Sequence, residues 1–238
     1  FRDVTREKEV DRMKSEFINV AAHELRTPLT TVKGFSELML NSDGLSDAEI
    51  RDYMSHIHNK AGVLEMIVDE LLDLSRMESG GALSLTREPC RIGPFLEQLV
   101  DKYRDECPGY DFRFAMSQGD VELLIDPEKI RSVVSKLLDN AVRFCPEGTT
   151  VSLEGRVSAD TFRIGLCDDG PGMSDDQVRH CFDRFYRGET GDTARGGLGL
   201  GLTIARAIVE AHGGEIQLES KVGEGTTVSL TLPLEKGR

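Results

Sequence analysis

The sequence predicts an α+β protein in two parts, a two-helix hairpin that pairs with a second copy into a dimeric four-helix bundle, followed by an α/β sandwich. Three observations carry this. Apolar residues of the first 80 positions recur in threes and fours. A turn-rich stretch, Asn41 to Leu45, interrupts them. From about residue 91, strand-like and helix-like runs arrive in separate groups, the signature of α+β rather than doubly wound folds.

In the first part, Phe17, Val20, Ala21, Leu25, Val32, Phe35, Leu38 and Met39 mark one helix. Ser46 and Glu49 form a capping box that opens a second. Its stripe continues through Leu64, Ile67, Val68, Leu71, Leu72, Leu74 and Met77 to Gly80-Gly81. A lone hairpin leaves much of such a stripe in water, and pairing two hairpins buries it, so a homodimer is expected. In the second part, Ile92–Glu106 reads as a helix ending at Pro108-Gly109, with strands at 110–116 and 121–125. Asp126-Pro127 supplies a cap and a proline at the first helical position. The helix it starts runs to Pro146. A strand hairpin follows at 150–157 and 161–167, and a second capping box, Ser174 to Gln177, opens a short helix. Glycine-rich sequence at 188–201 precedes a helix ending at His212-Gly213-Gly214, and strands at 215–220 and 226–232 close the chain.

The 238 residues suit one large domain or two modest ones, and 39% apolar with 30% charged residues is a globular composition. The net charge of −13 is spread over both parts, so neither offers the basic surplus that nucleic-acid binding needs. No apolar run approaches the ~20 residues of a membrane-crossing helix. A cytoplasmic location is therefore expected, with membrane attachment only through a possible upstream segment. The charged opening reads as the inside of a longer protein. Five cysteines, at 90, 107, 145, 167 and 181, form no C-x-x-C pair, which favours a reducing compartment over disulfides or a metal site.

Three segments suggest a nucleotide site. Asp168-Asp169-Gly170-Pro171-Gly172 follows an apolar strand; its glycines permit close approach to a flat ligand, and its carboxylate can accept from an exocyclic amine. The same residues also make an ordinary β-turn. Gly196-Gly197-Leu198-Gly199-Leu200-Gly201-Leu202 runs into a helix whose exposed N–H groups and dipole favour phosphate. Its spacing fits neither a P-loop nor a dinucleotide fingerprint, and a flexible loop needs glycine too. Asn140 offers a hard oxygen to Mg²⁺, although an asparagine on a helix is commonly surface.

Taken in order, Leu137-Leu138-Asp139-Asn140-Ala141, DDGPG, CFDRFYRG at 181–188, GGLGLGL and Gly223-Glu224-Gly225-Thr226 resemble the ATP-binding domain of sensor histidine kinases. That domain has the Bergerat fold, shared with type II topoisomerases, Hsp90 chaperones and MutL. The resemblance implies ATP and Mg²⁺ as cofactors, with Asn140 on the metal and Arg143 and Phe144 beside the nucleotide. It implies Asp168 on the adenine amine, with Gly170 and Gly172 beneath the base. Phe182, Phe185 and Tyr186 would anchor a lid, with Arg187 beside them. Gly197, Leu198, Gly199, Leu200 and Gly201 would surround the phosphates, and Thr226 would complete the site. One position departs from the pattern: Lys136 stands where the family usually has a second asparagine. Either its ammonium pairs with a phosphate oxygen, or it weakens Mg²⁺ binding.

His23-Glu24-Leu25-Arg26-Thr27-Pro28-Leu29 resembles the phosphoacceptor box of the same family, with Phe17 to Leu29 matching throughout. The resemblance implies that His23 takes the γ-phosphoryl, that Glu24 is its base, and that Thr27 supports phosphatase activity towards a response regulator, the partner that receives the phosphoryl on an aspartate. Adjacent side chains diverge by ~100° on a helix, so a rotamer must bring His23 and Glu24 together. Pro28 removes the N–H that would bond the Glu24 carbonyl, so a kink is expected just past His23. The expected organisation is the end of a PAS-like sensor and signalling helix at 1–12, the phosphotransfer hairpin at 13–80, a linker at 81–90 and the catalytic domain at 91–238. Two rivals share parts of this pattern: a Bergerat ATPase that is not a kinase, which has no need of the histidine box, and a docking module with a dead nucleotide site, which only Lys136 favours.

Overall fold

The computed structural model describes residues 4–42, 44–78, 83–117, 119–184, 186 and 198–234. They fall into two compact units. One holds the described residues of Phe1–Gly81 together with 198–200, the other those of Ala82–Glu189 and of Gly201–Arg238.

The first unit is the expected hairpin. Helix α1 spans Val4–Asn41 and helix α2 spans Asp47–Glu78. The capping box forms as read: the Glu49 N–H donates to Ser46 Oγ at 3.3 Å, and the Ser46 N–H donates to Glu49 Oε2 at 2.9 Å. These two bonds satisfy donors that a helix start leaves open and are together worth about 1 kcal/mol. Phe35 of α1 stacks on His56 of α2, with ring centroids 4.8 Å apart. Helix α1 runs unbroken through Pro28. Around the proline, the hydroxyls of Thr27, Thr30 and Thr31 donate back to the carbonyls of His23, Arg26 and Thr27.

In the second unit, strand β1 is Glu88–Arg91, helix α3 Ile92–Glu106, strand β2 Asp111–Ser117 and strand β3 Glu122–Ile125. Helix α4 is Pro127–Phe144, strands β4 and β5 are Thr150–Ser158 and Thr161–Asp168, and helix α5 is Asp175–His180. Helix α6 is Gly201–Ala211, and strands β6 and β7 are Glu215–Ser220 and Thr226–Pro233. The main sheet has the order β2-β4-β5-β7-β6, with β2 and β4 parallel and every other pair antiparallel. The stretch 81–90, expected as linker, ends in β1, which pairs antiparallel with β3 in a separate two-stranded ribbon. With Pro89 inside it and a mostly exposed face, β1 lacks the alternation that marks a strand in sequence.

Helices α3, α4 and α6 cover one face of the main sheet. Side chains alternate along a strand, so Phe162, Ile164 and Leu166 of β5 share that face, and all three are buried. Ile130, Val134, Leu138, Ile204 and Ile208 of the covering helices are buried as well. Each such side chain contributes roughly 1.5–3 kcal/mol relative to exposure. The opposite face, with Glu154, Arg163 and Cys167, is exposed. The result is a two-layer α/β sandwich, as expected.

Candidate functional site

On α1, His23 is largely exposed, with its side chain at 75% of full accessibility. Its Nδ1 lies 3.9 Å from Oε1 of Glu24, which is mostly covered. The two side chains thus lie near each other without reaching hydrogen-bond length. A hydrogen bond between them would fix the ring proton on Nδ1 and leave the lone pair on Nε2. Thr27 lies one turn on, exposed, its hydroxyl donating to the His23 carbonyl at 3.2 Å.

The second cluster gathers at the ends of β5, α4 and β7. Asp168 continues the inward series of Phe162, Ile164 and Leu166, so the alternation of the strand turns its carboxylate under the helices. It is 8% exposed. Its Oδ1 accepts from the Gly170 N–H at 3.0 Å and from the Cys145 thiol at 3.3 Å. Thr226 faces Asp168 in the β5–β7 register, and its hydroxyl shares a 3.0 Å hydrogen bond with Ser220. Glycine is required at two positions. Gly172 has φ +66°, and a side chain there would strike the Lys221 carbonyl. Gly225 has φ +82°, and a side chain there would strike the Asp168 carbonyl. The turn 221–225 thus lies directly against the DDGPG segment, tied by the Gly223 N–H to the Pro171 carbonyl at 2.8 Å. A side chain on Gly170 would meet Cys145 Sγ, and Asp168 Oδ1 at 2.7 Å.

Helix α4 carries Lys136, buried, and Asn140, half-buried, one turn apart on the same face. Arg143 and Phe144 end the helix, the guanidinium 5.9 Å from the ring centroid and Phe144 exposed. Two groups hold α4 in place. The Tyr103 hydroxyl donates to Asp139 Oδ1 at 2.5 Å, and burial together with that carboxylate pushes the phenol far up. Asp126 caps the helix through Lys129 N–H at 3.1 Å and also accepts from Thr86 N–H at 2.9 Å. Its own N–H donates to Nε2 of the buried His212 at 3.0 Å, while Nδ1 of His212 donates to the Ile208 carbonyl at 2.7 Å. Burial lowers the His212 pKa.

After α5, Phe182 lies under the Arg206 guanidinium at 4.0 Å, and the Thr203 hydroxyl donates to the Phe182 carbonyl at 3.1 Å. Tyr186 contacts the His180 ring at 5.5 Å. Leu198 and Leu200 are buried, Gly199 between them has φ +67°, and Gly201 begins α6. Phe185, Arg187 and Gly197 lie outside the described residues. Cys145, Ser220, Tyr103 and His212 carry no signal of their contacts in the sequence, and each has at least one partner distant in the chain: Asp168, Met173, Asp139 and Asp126.

Two family profiles match. Residues 13–80 match the His Kinase A (phospho-acceptor) domain, and residues 125–236 match the Histidine kinase-, DNA gyrase B-, and HSP90-like ATPase. Together they take in well over half of the chain. The sensor protein SrrB of Staphylococcus aureus is 32% identical over 98% of this chain. The chain spans 40% of that relative's length. Among solved structures, full-length ShkA in complex with AMPPNP aligns over 92% of this chain and 45% of its own, at 24% identity and a TM-score of 0.67. The histidine kinase ThkA in complex with the response regulator TrrA aligns over 97% and 65%, at 24% identity and a TM-score of 0.62. The Acinetobacter baumannii histidine kinase AdeS aligns over 90% and 98%, at 22% identity and a TM-score of 0.59. With a phosphoacceptor hairpin and an ATPase sandwich both matched, the chain belongs to the sensor histidine kinase family.

Proposed function

We propose that this chain transfers the γ-phosphoryl of ATP to His23 and passes it to an aspartate of a response regulator. The observation that carries this reading is the His23–Glu24 pair on an exposed helix face, in the same chain as a buried carboxylate and a glycine-lined turn. Nε2 of His23 attacks the γ-phosphorus, the bond to the ADP oxygen breaks, and Glu24 relieves the charge by holding or taking the Nδ1 proton. Asp168 accepts from the adenine amine, Gly170 and Gly172 lie beneath the base, and Thr226 borders it. Arg143, Phe144, Tyr186 and Arg187 flank the nucleotide, with Phe182 and Phe185 anchoring the lid. Gly197, Leu198, Gly199, Leu200 and the N–H groups opening α6 at Gly201 surround the phosphates.

Asn140 would hold Mg²⁺, which would supply charge neutralisation at the phosphates. The amide oxygen of the half-buried Asn140 is a hard donor of the kind that ion prefers, and Mg²⁺ takes much of its coordination from phosphate and water. Lys136 adds a cation on the same face of α4 in place of a second amide oxygen.

Thr27 supports a phosphatase activity towards the same regulator by orienting water once its hydroxyl leaves the His23 carbonyl. The solved complex of ThkA with a response regulator supports that kind of partner. A homodimer is supported by the apolar side chains that one hairpin leaves exposed, among them Ile18, Leu29, Leu40, Met54 and Met66. Incubation with γ-labelled ATP and Mg²⁺ tests the core reading. Acid-labile label on the parent and none on His23→Ala is expected; equal labelling of the two would overturn His23 as acceptor.

A further inference from the structure

We propose that Cys145 is a positioning residue for adenine recognition: its thiol holds Oδ1 of Asp168, so that Oδ2 alone is presented to the exocyclic amine of the base. The inference rests on the reading of Asp168 as the adenine-binding carboxylate. Both donors that reach this carboxylate, the Gly170 N–H at 3.0 Å and the Cys145 thiol at 3.3 Å, end on Oδ1. Among the described residues no donor reaches Oδ2, although the residue is only 8% exposed. Nor does any buried side-chain oxygen among them lack a partner, so Oδ2 is not sealed from a ligand and is the oxygen left to accept one. A carboxylate with one edge tied and one edge open is aimed, and a single open acceptor suits one N–H of an amine.

The thiol is itself fixed. Cys145 ends α4, where its N–H donates to the Ala141 carbonyl at 2.9 Å, and its carbonyl accepts from the Tyr110 hydroxyl at 3.2 Å. It is 5% exposed. Burial and the neighbouring Asp168 push the thiol pKa up to about 12, so it remains a donor through the physiological range. The Cys145 side chain also fills the space beside Gly170, where an added Cβ would collide with it. The two donors therefore hold the Oδ1 end of the carboxylate in place.

The test compares affinities of the full chain for Mg·ATP and for the triphosphate of purine riboside, which has hydrogen in place of the 6-amine. Cys145→Ala and Cys145→Val remove the donor, the alanine leaving space and the valine filling it with about one methyl group more. Both are expected to bind ATP about tenfold more weakly, the scale of one hydrogen bond to a charged group, and to bind the purine nucleotide almost as the parent does. Cys145→Ser restores a donor and with it the preference for ATP. Equal losses for the two nucleotides would make Cys145 a packing residue only, and unchanged ATP affinity in the valine variant would remove any role; either overturns the proposal. Asp168→Asn separates the two levels of the argument. If it binds ATP as the parent does, the reading of Asp168 fails and Cys145 falls with it. If it loses ATP while Cys145→Val does not, only the role of Cys145 fails.

Discussion

At the scale of single residues, Thr27 and Gly172 give separable predictions. The Thr27 hydroxyl makes one described hydrogen bond, back to its own helix, and none to the His23 ring. Thr27→Ala should therefore keep autophosphorylation within about twofold and lose most dephosphorylation of the regulator, measured with labelled regulator in the same assay; equal loss of both would tie Thr27 to the transfer step instead. Gly172→Ala acts differently. Its neighbour is the Lys221 backbone carbonyl, which cannot rotate aside, and its φ of +66° is strained for any other residue. The variant should lose about 1–3 kcal/mol of stability, read as a lower midpoint in urea, together with nucleotide affinity. Legibility in sequence follows the same division. Asp168 could be read because period-two burial at Phe162, Ile164 and Leu166 points it inward and glycines follow it. Cys145 could not, because a thiol at a helix end takes its meaning from a carboxylate 23 positions away.

At the scale of elements, the helices were legible because their caps are local. Ser46-x-x-Glu49, Asp126-Pro127 and Ser174-x-x-Gln177 all start helices in the structure. The ribbon β1–β3 and the parallel β2–β4 pair were not, since strand partners depend on connections that periodicity does not record. Helix α4 carries the sharpest element-level question, because Lys136 and Asn140 share a face one turn apart. If Lys136 supplies charge where a second amide would supply an oxygen ligand, Lys136→Asn should lower the half-saturating Mg²⁺ concentration several-fold while kcat changes little. Lys136→Ala should weaken ATP about tenfold at saturating Mg²⁺, the cost of one charge-assisted contact. A titration of Mg²⁺ at fixed ATP reads both, and an unaltered Mg²⁺ requirement in Lys136→Asn would place Lys136 outside the phosphate site.

At the scale of the whole molecule, two units held together by different forces should unfold in two steps rather than one. The hairpin leaves Leu29, Leu40 and Met66 exposed; if the proposed second copy covers them, its Tm should rise with protein concentration. The sandwich has its own core and should show no such dependence; it should respond to pH instead, through His212. That imidazole is buried, accepts the Asp126 N–H on Nε2 and donates to the Ile208 carbonyl through Nδ1, so it is held neutral. Burial and the Arg87 charge lower its pKa against the opposing pull of the Ile208 carbonyl and of Asp126. An unfolded histidine takes up a proton near pH 6.5, whereas the folded one resists it until lower pH. Between those two values the unfolded state binds more protons, so stability falls as pH falls below about 6.5 and levels off once the folded ring protonates as well. Protonation also ends the bond that ties α6 to the start of α4, the helix that carries Asn140. In calorimetry at pH 7.5, 6.5 and 5.5, the transition of the sandwich should move down across the last interval and that of the hairpin should move less. His212→Gln, which keeps a donor and an acceptor without titrating, should lower the sandwich transition at pH 7.5 yet flatten its slope below 6.5. An unflattened slope would assign the pH response to a group other than His212.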